Sequence, residues 1–273
     1  MSESTYIHGT SPEEQRRLSL MNDVLLNPLS LHELALRGDE NIIDFGSGLG
    51  QFTQAMANVV VPKGSVVGIE RSDEQRATAI QLAKEEGEEG FVDYRAGDVL
   101  DLDLGDEWDF FDLAHTRFLL EHVPDPLRVV QTMVRAVKPG GRIVLEDDDH
   151  GVMRLWPEPP GFLDLWNAYI RTYDRIGNDP FVGRRLVQLL HQAGARPVRN
   201  TWIWFGGCAG MDWFDVLAAN MAGVVRTARD TMIEMNLVER DTFDAVMEHY
   251  DRWSKRPDAA LWFAVAWAEG ERP

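Results

Sequence analysis

NIIDFGSGLGQF, the stretch at residues 41–52, places apolar residues on both sides of a single aspartate and then three glycines within five positions. Glycine permits a positive φ and lets another molecule approach the main chain closely, at an entropic cost. A helical pattern follows the glycines, and the N-terminus of a helix offers free N–H groups to a ligand. The stretch therefore predicts a buried strand that leads into a ligand-binding turn.

Apolar runs and helical patterns alternate along residues 39–150. Strands are predicted in the segments NIIDF, SVVGIE, GFVDYRAGD, WDFFDLAHT and GRIVLEDD. Helices are predicted around residues 51–58, in EQRATAIQLAKEEG as far as Gly87, and in DPLRVVQTMVRAV, which stops at a turn over residues 138–141. Such alternation predicts a parallel sheet with both faces covered. Ligands of these sheets bind beyond the carboxyl ends of the strands, where the strand order reverses.

The pattern changes after residue 150. A proline-rich link, WPEPPG, leads to helical patterns in FLDLWNAYIRTYDRI and PFVGRRLVQLLHQAG, a strand in PVRNTWIWFG, a helical region at 212–254 and a last strand in AALWFAVAWAE. We therefore expect an α/β fold with a doubly wound, mostly parallel seven-stranded sheet and a final antiparallel strand. The expected segments are an N-terminal helical lid at 1–38, a core at 39–150, and a remainder at 151–273 with a helical cap insertion at about 208–257.

The composition narrows the class of protein. The chain has 273 residues, 44% of them hydrophobic, and its excess of acidic groups gives a net charge of −18. Such a field repels phosphate backbones and anionic membrane surfaces. The single cysteine, Cys208, excludes an internal disulfide framework, and no apolar stretch is long enough for a signal peptide or a membrane span. We expect a cytoplasmic protein with no nucleic-acid or membrane partner, and a homodimer stays open.

The spacing of the glycines distinguishes two classes of cofactor. The dinucleotide fingerprint requires G-x-G-x-x-G, but Gln51 occupies the position of its third glycine. Asp44, two residues before Gly46, would place negative charge near a pyrophosphate, whereas it would attract a ligand with an ammonium group. The turn therefore favours a cofactor that carries an amino acid.

In these features the chain resembles the class I S-adenosylmethionine-dependent methyltransferases of small molecules, whose first motif is an apolar strand, an acidic residue and G-x-G-x-G. The resemblance covers about residues 40–150, where SVVGIE, RAGD, WDFFDLAHTRFLLEHVPDP and KPGG follow in the order of the family's motifs. It implies S-adenosylmethionine as cofactor. It also implies methyl transfer to an O, N or C nucleophile of a small, partly apolar or aromatic molecule.

The resemblance implies roles for individual residues. Glu70 would hold the ribose hydroxyls, Asp98 and Val99 would lie near the adenine, and His115 and Arg117 would contact the methionine part. The full implied cofactor-binding set is Asp44, Gly46, Ser47, Gly48, Gly50, Glu70, Arg71, Gly97, Asp98, Val99, His115 and Arg117. Four members also have an ordinary alternative: Glu70 as a solvated strand-end carboxylate, Asp98 as a turn former, His115 as a half-buried histidine and Arg117 as part of a surface ion pair.

The sequence restricts the catalytic base less closely. Methyl transfer from a sulfonium depends chiefly on alignment and the exclusion of water, with a base in some cases. The candidates lie in two segments, YIHGTS with Tyr6 and His8, and EDDDH at 146–150 with three aspartates and His150. We predict His8 and His150 as the catalytic residues because histidine titrates near neutrality.

Four questions stay open at this point. EDDDH could hold a divalent cation, but the fourth strand ends in His115 and supplies no carboxylate, so no metal site is predicted. The protein could instead be a nicotinamide-dependent oxidoreductase, or a partner protein that binds S-adenosylmethionine without catalysis. The aromatic residues after position 150 could form the core or a lid over an apolar pocket. These residues are Trp156, Trp166, Tyr169, Tyr173, Trp202, Trp204 and Trp213.

Overall fold

A computed structural model describes residues 26–273 of the chain. These residues form two compact units. The larger unit comprises residues 27–148, 181–203 and 265–273, and the smaller unit comprises Leu26 with residues 149–180 and 204–264. Most of the predicted N-terminal lid, with Tyr6 and His8, lies outside the described residues.

The strands and helices are numbered in chain order. The strands are β1 Asn41–Phe45, β2 Ser65–Glu70, β3 Val92–Ala96, β4 Phe111–Arg117, β5 Val137–Asp148, β6 Arg154–Trp156, β7 Arg196–Cys208 and β8 Ala260–Glu271. The α-helices are α1 Asn27–Leu34, α2 Gln51–Val60, α3 Asp73–Glu85, α4 Pro126–Ala136, α5 Phe162–Arg171, α6 Leu186–Gln192, α7 Phe214–Thr227, α8 Arg229–Glu234 and α9 Arg240–Trp253. Single 3-10 turns lie at Gly105–Glu107, Leu120–His122, His150–Val152, Thr172–Arg175 and Val182–Arg185.

Strand pairing gives an eight-stranded mixed sheet in the order β3-β2-β1-β4-β5-β8-β6, with β7 also paired to β8. The four pairs from β3 to β5 are parallel, and β8 is antiparallel to both β5 and β6. The strand order reverses between β1 and β4, which places the glycine turn after β1 at the reversal point. The predicted doubly wound fold is therefore confirmed, with β6 as a strand beyond the expected seven.

The core of the larger unit lies on both faces of the sheet. Ile43 and Phe45 of β1 belong to a cluster that includes residues of α4 and α6, whereas Ile42 packs in a second cluster with Phe52 and Met56 of α2. Successive side chains of a strand point to opposite faces, so a strand covered on both faces needs an almost continuous apolar run. This explains NIIDF, in which Asp44 is the polar exception.

Capping residues fix the helices that flank the sheet. Ser72 accepts a hydrogen bond from the N–H of Gln75 (3.2 Å) at the start of α3. Asp125 accepts one from the N–H of Arg128 (3.1 Å) at the start of α4, where Pro126 occupies the first helical position. Both arrangements satisfy N–H groups that the helix cannot pair internally.

Two segments differ from the sequence-based prediction. Residues 138–141, expected as a turn, belong to β5, whose pairing with β4 shifts register between Phe111 and Leu113. Strand β6, which was not predicted, precedes the expected link and shares only Trp156 with it; its Leu155 pairs with Leu261 of β8. Proline and glycine usually mark turns, but here pairing with neighbouring strands determines the structure, and local composition carries no information about that pairing.

The smaller unit is mainly helical. The region predicted at 212–254 forms α7, α8 and α9, which confirms a helical segment between β7 and β8. Phe162 of α5 stacks on Tyr250 of α9 with 4.6 Å between ring centroids, and the Tyr250 hydroxyl donates to the carbonyl of Ala218 (2.8 Å). Among residues 26–273, no helix combines the length and the apolar character that crossing a membrane requires.

Candidate functional site

The glycine turn connects β1 to α2 and is anchored to the neighbouring strand. The N–H groups of Gly46 and Ser47 both donate to the carbonyl of Ile69 in β2, at 2.9 and 3.0 Å. The N–H of Gly50 donates to the carbonyl of Ser47 (2.8 Å), which closes the turn. The main chain of the turn is therefore held at the carboxyl ends of β1 and β2.

Glycine occupies positions 48 and 50 of the turn for different physical reasons. Gly48 and Gly50 both have positive φ, 54° and 77°. A Cβ on Gly50 would lie 2.2 Å from the Tyr94 hydroxyl, whereas a Cβ on Gly48 would meet only the side-chain oxygen of Gln75, at 3.8 Å. Packing inside the protein requires the glycine at 50. Gly48 faces open space, where another molecule can approach the main chain.

Glu70 ends β2 beside the turn, as the sequence predicted. Its side chain is largely buried, with 8% of the residue exposed. One carboxylate oxygen accepts a hydrogen bond from the N–H of Gly48 (3.0 Å), and the other accepts one from the N–H of Ser72 (2.8 Å). Each oxygen has a second acceptor position, so the carboxylate can hold the turn and still accept from ligand hydroxyls.

The residues after β3 lie next to Glu70. The N–H of Gly97 donates to the carbonyl of Glu70 (3.3 Å). Asp98 is exposed and accepts a hydrogen bond from the N–H of Leu100 (2.9 Å), so it also forms the local turn. Val99 is buried in the cluster of β1 and α4, whereas Arg71 is exposed. The position of Asp98 fits its predicted place near the cofactor, and its contact with the adenine stays a prediction.

A buried polar cluster lies where β1, β4 and β5 end. Nδ1 of His115 is 2.8 Å from one carboxylate oxygen of Asp44, and the Thr53 hydroxyl donates to the other oxygen (2.5 Å). Nε2 of His115 lies 3.8 Å from a carboxylate oxygen of Glu146, whose other oxygen accepts from the Ser30 hydroxyl (2.5 Å). Glu146 belongs to the segment EDDDH, which the sequence offered as a possible base or cation site, but its place beside His115 was not predicted.

The environment of His115 changes its acidity. Burial opposes the charged form, but the adjacent carboxylates of Asp44 and Glu146 outweigh it and raise the pKa of His115 above its usual value of 6.5. The folded protein therefore favours an imidazolium between two carboxylates.

Arg117, two residues beyond His115 on β4, lies at the same end of the sheet. Its guanidinium carbon is 4.2 Å from the centre of the Phe52 ring, and Nη2 donates to the side-chain oxygen of Asn27 (2.8 Å). A guanidinium over an aromatic face is held by the ring's electrostatic field as well as by hydrogen bonds. Residues of both α1 and α2 thus hold the guanidinium of Arg117.

Asp147, one of the predicted base candidates, occupies a structural position. Burial and the nearby Glu121 raise the pKa of its carboxyl well above the ordinary value. Its two oxygens accept hydrogen bonds from the N–H groups of Leu120 (2.7 Å) and Asp148 (2.9 Å), which ties β5 to the 3-10 turn after β4. These contacts favour a role in shaping the loop over a role as base.

His150, the described candidate base, lies within the smaller unit. Only 4% of the residue is exposed, and Nε2 is 3.2 Å from the Tyr173 hydroxyl. The rings of Trp166 and Tyr169 lie near its imidazole, each with 5.6 Å between centroids. Its main-chain carbonyl accepts from Trp166 Nε1 (2.7 Å). The side chains of Trp166, Tyr169 and Tyr173 are buried and belong to the core, which is the usual place of large aromatic residues. Trp156 and Trp204, by contrast, are 67% and 59% exposed.

The donor set of the larger unit suits one kind of ligand. Two carboxylates, Asp44 and Glu70, end adjacent strands, and the main chain is open at Gly48 between them. The Ser47 hydroxyl is a buried polar atom with no hydrogen-bond partner among the described residues. Acidic groups repel a pyrophosphate but accept hydrogen bonds from ribose hydroxyls and attract an ammonium group. The site therefore fits a nucleoside that carries an amino acid.

Comparison with known proteins gives a family model and individual relatives. The model, described as a methyltransferase domain, matches residues 15–200. This range contains the glycine turn, Glu70 and the buried cluster.

Two curated relatives are enzymes named for quinone substrates. The 2-phytyl-1,4-naphtoquinone methyltransferase of Synechococcus elongatus is 33% identical over 41% of this chain and 48% of its own length. A demethylmenaquinone methyltransferase of Listeria monocytogenes is 29% identical over 48% of this chain and 52% of its own length. The chain thus aligns with about half the length of these relatives.

A solved structure extends the likeness to the fold. A SAM-dependent methyltransferase of Aquifex aeolicus superposes with a TM-score of 0.54 over 71% of this chain and 93% of its own, at 17% identity. At this identity the likeness shows the shared fold alone.

Proposed function

Because the chain belongs to the methyltransferase-domain family, whose model matches residues 15–200, we propose that it transfers a methyl group from S-adenosylmethionine to an O, N or C nucleophile of a small, partly apolar or aromatic molecule. The methyltransferase family predicted from the sequence is confirmed, and S-adenosylmethionine is the cofactor that this family assignment supports. S-adenosylmethionine supplies, when bound, a methyl group already activated on a sulfonium.

The observation that carries the proposal is the link between Glu70 and Gly48, which joins an acidic strand end to the open main chain of the turn (3.0 Å). Glu70 would accept from the ribose hydroxyls, and Asp44 would attract the ammonium group of the methionine part. The turn would hold the cofactor by its main chain at Gly48. Since methyl transfer depends on alignment, these contacts orient the donor, and His8 or His150 would remove a proton where the acceptor carries one.

The substrate class rests on the relatives. Both relatives are named for a quinone substrate, a 2-phytyl-1,4-naphtoquinone and a demethylmenaquinone. We therefore favour a quinone-like or phenolic ring among small aromatic acceptors. The N-terminal segment 1–38 and the helical insertion at 208–257 are proposed as lid and cap over the substrate, and the protein is proposed to be cytoplasmic, without nucleic-acid or membrane partners, and able to form a homodimer.

Methyl incorporation tests this function directly. Protein incubated with methyl-labelled S-adenosylmethionine and a panel of demethylated naphthoquinones, benzoquinones and phenols is expected to label at least one member. EDTA is expected to leave the rate unaltered, because no metal site is predicted at the end of β4.

The panel also separates the alternatives. Firm binding of S-adenosylhomocysteine without label on any acceptor would favour the non-catalytic partner protein. Binding of a nicotinamide cofactor in place of S-adenosylhomocysteine would favour the oxidoreductase.

A further inference from the structure

His115 is enclosed at the strand ends that carry the glycine turn. The register of β1 and β4 places Asp44 opposite His115, and Glu146 of β5 lies on the other side of the ring. Asp44 is 4% exposed, and His115 and Glu146 are 0% exposed. The imidazole is therefore closed to a ligand on every side, in contrast to the direct cofactor contact that the resemblance implies.

A continuous series of contacts runs from Ser30 of α1 to Asp44 of β1. It links the Ser30 hydroxyl to Glu146 (2.5 Å), Glu146 to Nε2 of His115 (3.8 Å), and Nδ1 of His115 to Asp44 (2.8 Å). The Thr53 hydroxyl binds the second oxygen of Asp44 (2.5 Å). Both oxygens of Asp44 are thus fixed, two residues before Gly46.

We infer that His115 is a positioning residue for the cofactor, which acts through Asp44 and does not touch the cofactor itself. The inference rests on the proposed function, because it assigns to Asp44 the attraction of the cofactor's ammonium group. Nδ1 fixes one carboxylate oxygen and the Thr53 hydroxyl fixes the other, so that the remaining acceptor positions keep one orientation.

The charge of the ring is part of this arrangement. Nε2 of His115 and the facing oxygen of Glu146 have no hydrogen-bond partner within residues 26–273. If the cluster held no proton on either atom, two lone pairs would face each other at 3.8 Å in a buried environment. A proton on the ring turns this repulsion into an ion pair, and buried charges are retained only when paired.

Two neutral substitutions test the roles of the two ring nitrogens of His115 separately. In His115→Asn the amide nitrogen replaces Nδ1 and can still donate to Asp44, whereas in His115→Gln it reaches towards the position of Nε2 and Glu146. Isothermal titration with S-adenosylhomocysteine is expected to show at least a tenfold greater loss of affinity for His115→Gln than for His115→Asn. His191→Gln, on the exposed side of α6, is the control for a histidine-to-glutamine change.

The stability of the apo protein supplies a second readout. A histidine whose pKa is raised by folding stabilises the protein fully below its unfolded pKa of about 6.5, and this stabilisation is lost as the pH rises through the folded pKa. The wild-type melting temperature is therefore expected to fall above pH 6.5 relative to that of His115→Asn. The charged groups that face the ring are Asp44 of β1 and Glu146 of β5, while Arg117 is the nearest cation on β4.

Subtracting the melting temperature of His115→Asn from that of the wild type at each pH cancels the contribution of other titrating groups, such as Asp147. Glu146→Gln covers the case in which His115→Gln does not fold, because it leaves the contact from Nδ1 to Asp44 in place. It is expected to reduce the relative fall in melting temperature, because Asp44 alone then raises the pKa of His115, and to cost less affinity than Asp44→Ala.

The outcomes are distinct from those that test the proposed function. Wild-type protein that fails to bind S-adenosylhomocysteine contradicts the function itself. Firm wild-type binding with equal losses in His115→Asn and His115→Gln, or equal melting curves against pH in wild type and His115→Asn, overturns the role of His115 alone.

Discussion

Replacing Glu70 by alanine is expected to weaken the binding of S-adenosylhomocysteine by about 1.5 to 3 kcal/mol, the usual value of hydrogen bonds to a charged partner. This corresponds to a roughly 10- to 150-fold higher dissociation constant. The substitution removes the proposed acceptor of the ribose hydroxyls together with the bond that the carboxylate accepts from the N–H of Gly48. Isothermal titration of the folded variant measures the loss.

Two control variants are measured beside Glu70→Ala. Glu70→Gln keeps an acceptor oxygen without the charge, so its loss of affinity is expected to be smaller than that of Glu70→Ala. Glu74→Ala changes an exposed glutamate in the first turn of α3 and is expected to bind as the wild type does. A folded Glu70→Ala variant with wild-type affinity would remove Glu70 from the site.

Alanine at position 50 is expected to destabilise the fold, whereas alanine at position 48 is expected to impair binding. A Cβ at 50 would overlap the Tyr94 hydroxyl, which lies 2.2 Å away, in a residue with a φ of 77°. Overpacking costs about 1 to 3 kcal/mol and the left-handed conformation about 1 to 2 kcal/mol more. The free energy of unfolding in urea is therefore expected to fall by roughly 2 to 5 kcal/mol in Gly50→Ala.

Gly48→Ala is the matched variant. Its new Cβ would meet only Gln75, at 3.8 Å, so the loss of stability is limited to the conformational term of about 1 to 2 kcal/mol. The same Cβ projects into the open space beside Glu70, and we expect at least a tenfold loss of affinity for S-adenosylhomocysteine. Similar effects of the two substitutions on both stability and binding would contradict the separate reasons given for the two glycines.

Most strand segments and the position of the turn could be predicted because they depend on local sequence. A strand buried on both faces needs an apolar run such as NIIDF, and a turn with positive φ needs glycine, so both leave a direct mark. The helix α4 likewise carries its own signals in Asp125 and Pro126. Strand β6 has no such local signal, because its three residues are placed by pairing with β8, which is distant in sequence.

The sequence identified Asp44 and His115 as candidate site residues but could not predict the contact between them. Their contact depends on the register of β1 against β4, and the third member, Glu146, is brought in by β5. Registers between distant strands are set by packing of the whole sheet, which a single sequence does not display. For the same reason the sequence could not distinguish Gly48 from Gly50, since Tyr94, which decides the difference, lies on β3.

A crystal structure of the complex with S-adenosylhomocysteine would show directly whether Glu70 and Asp44 hold the cofactor. The ligand is expected along the carboxyl ends of β1, β2 and β4, with its ribose hydroxyls on the carboxylate of Glu70, its main contacts to the turn at Gly48, and its ammonium group on the side of Asp44. His115 is predicted to remain covered, with Nδ1 on Asp44. A ligand bound elsewhere on the chain, or at the turn with Glu70 and Asp44 both out of contact, would contradict this cofactor site.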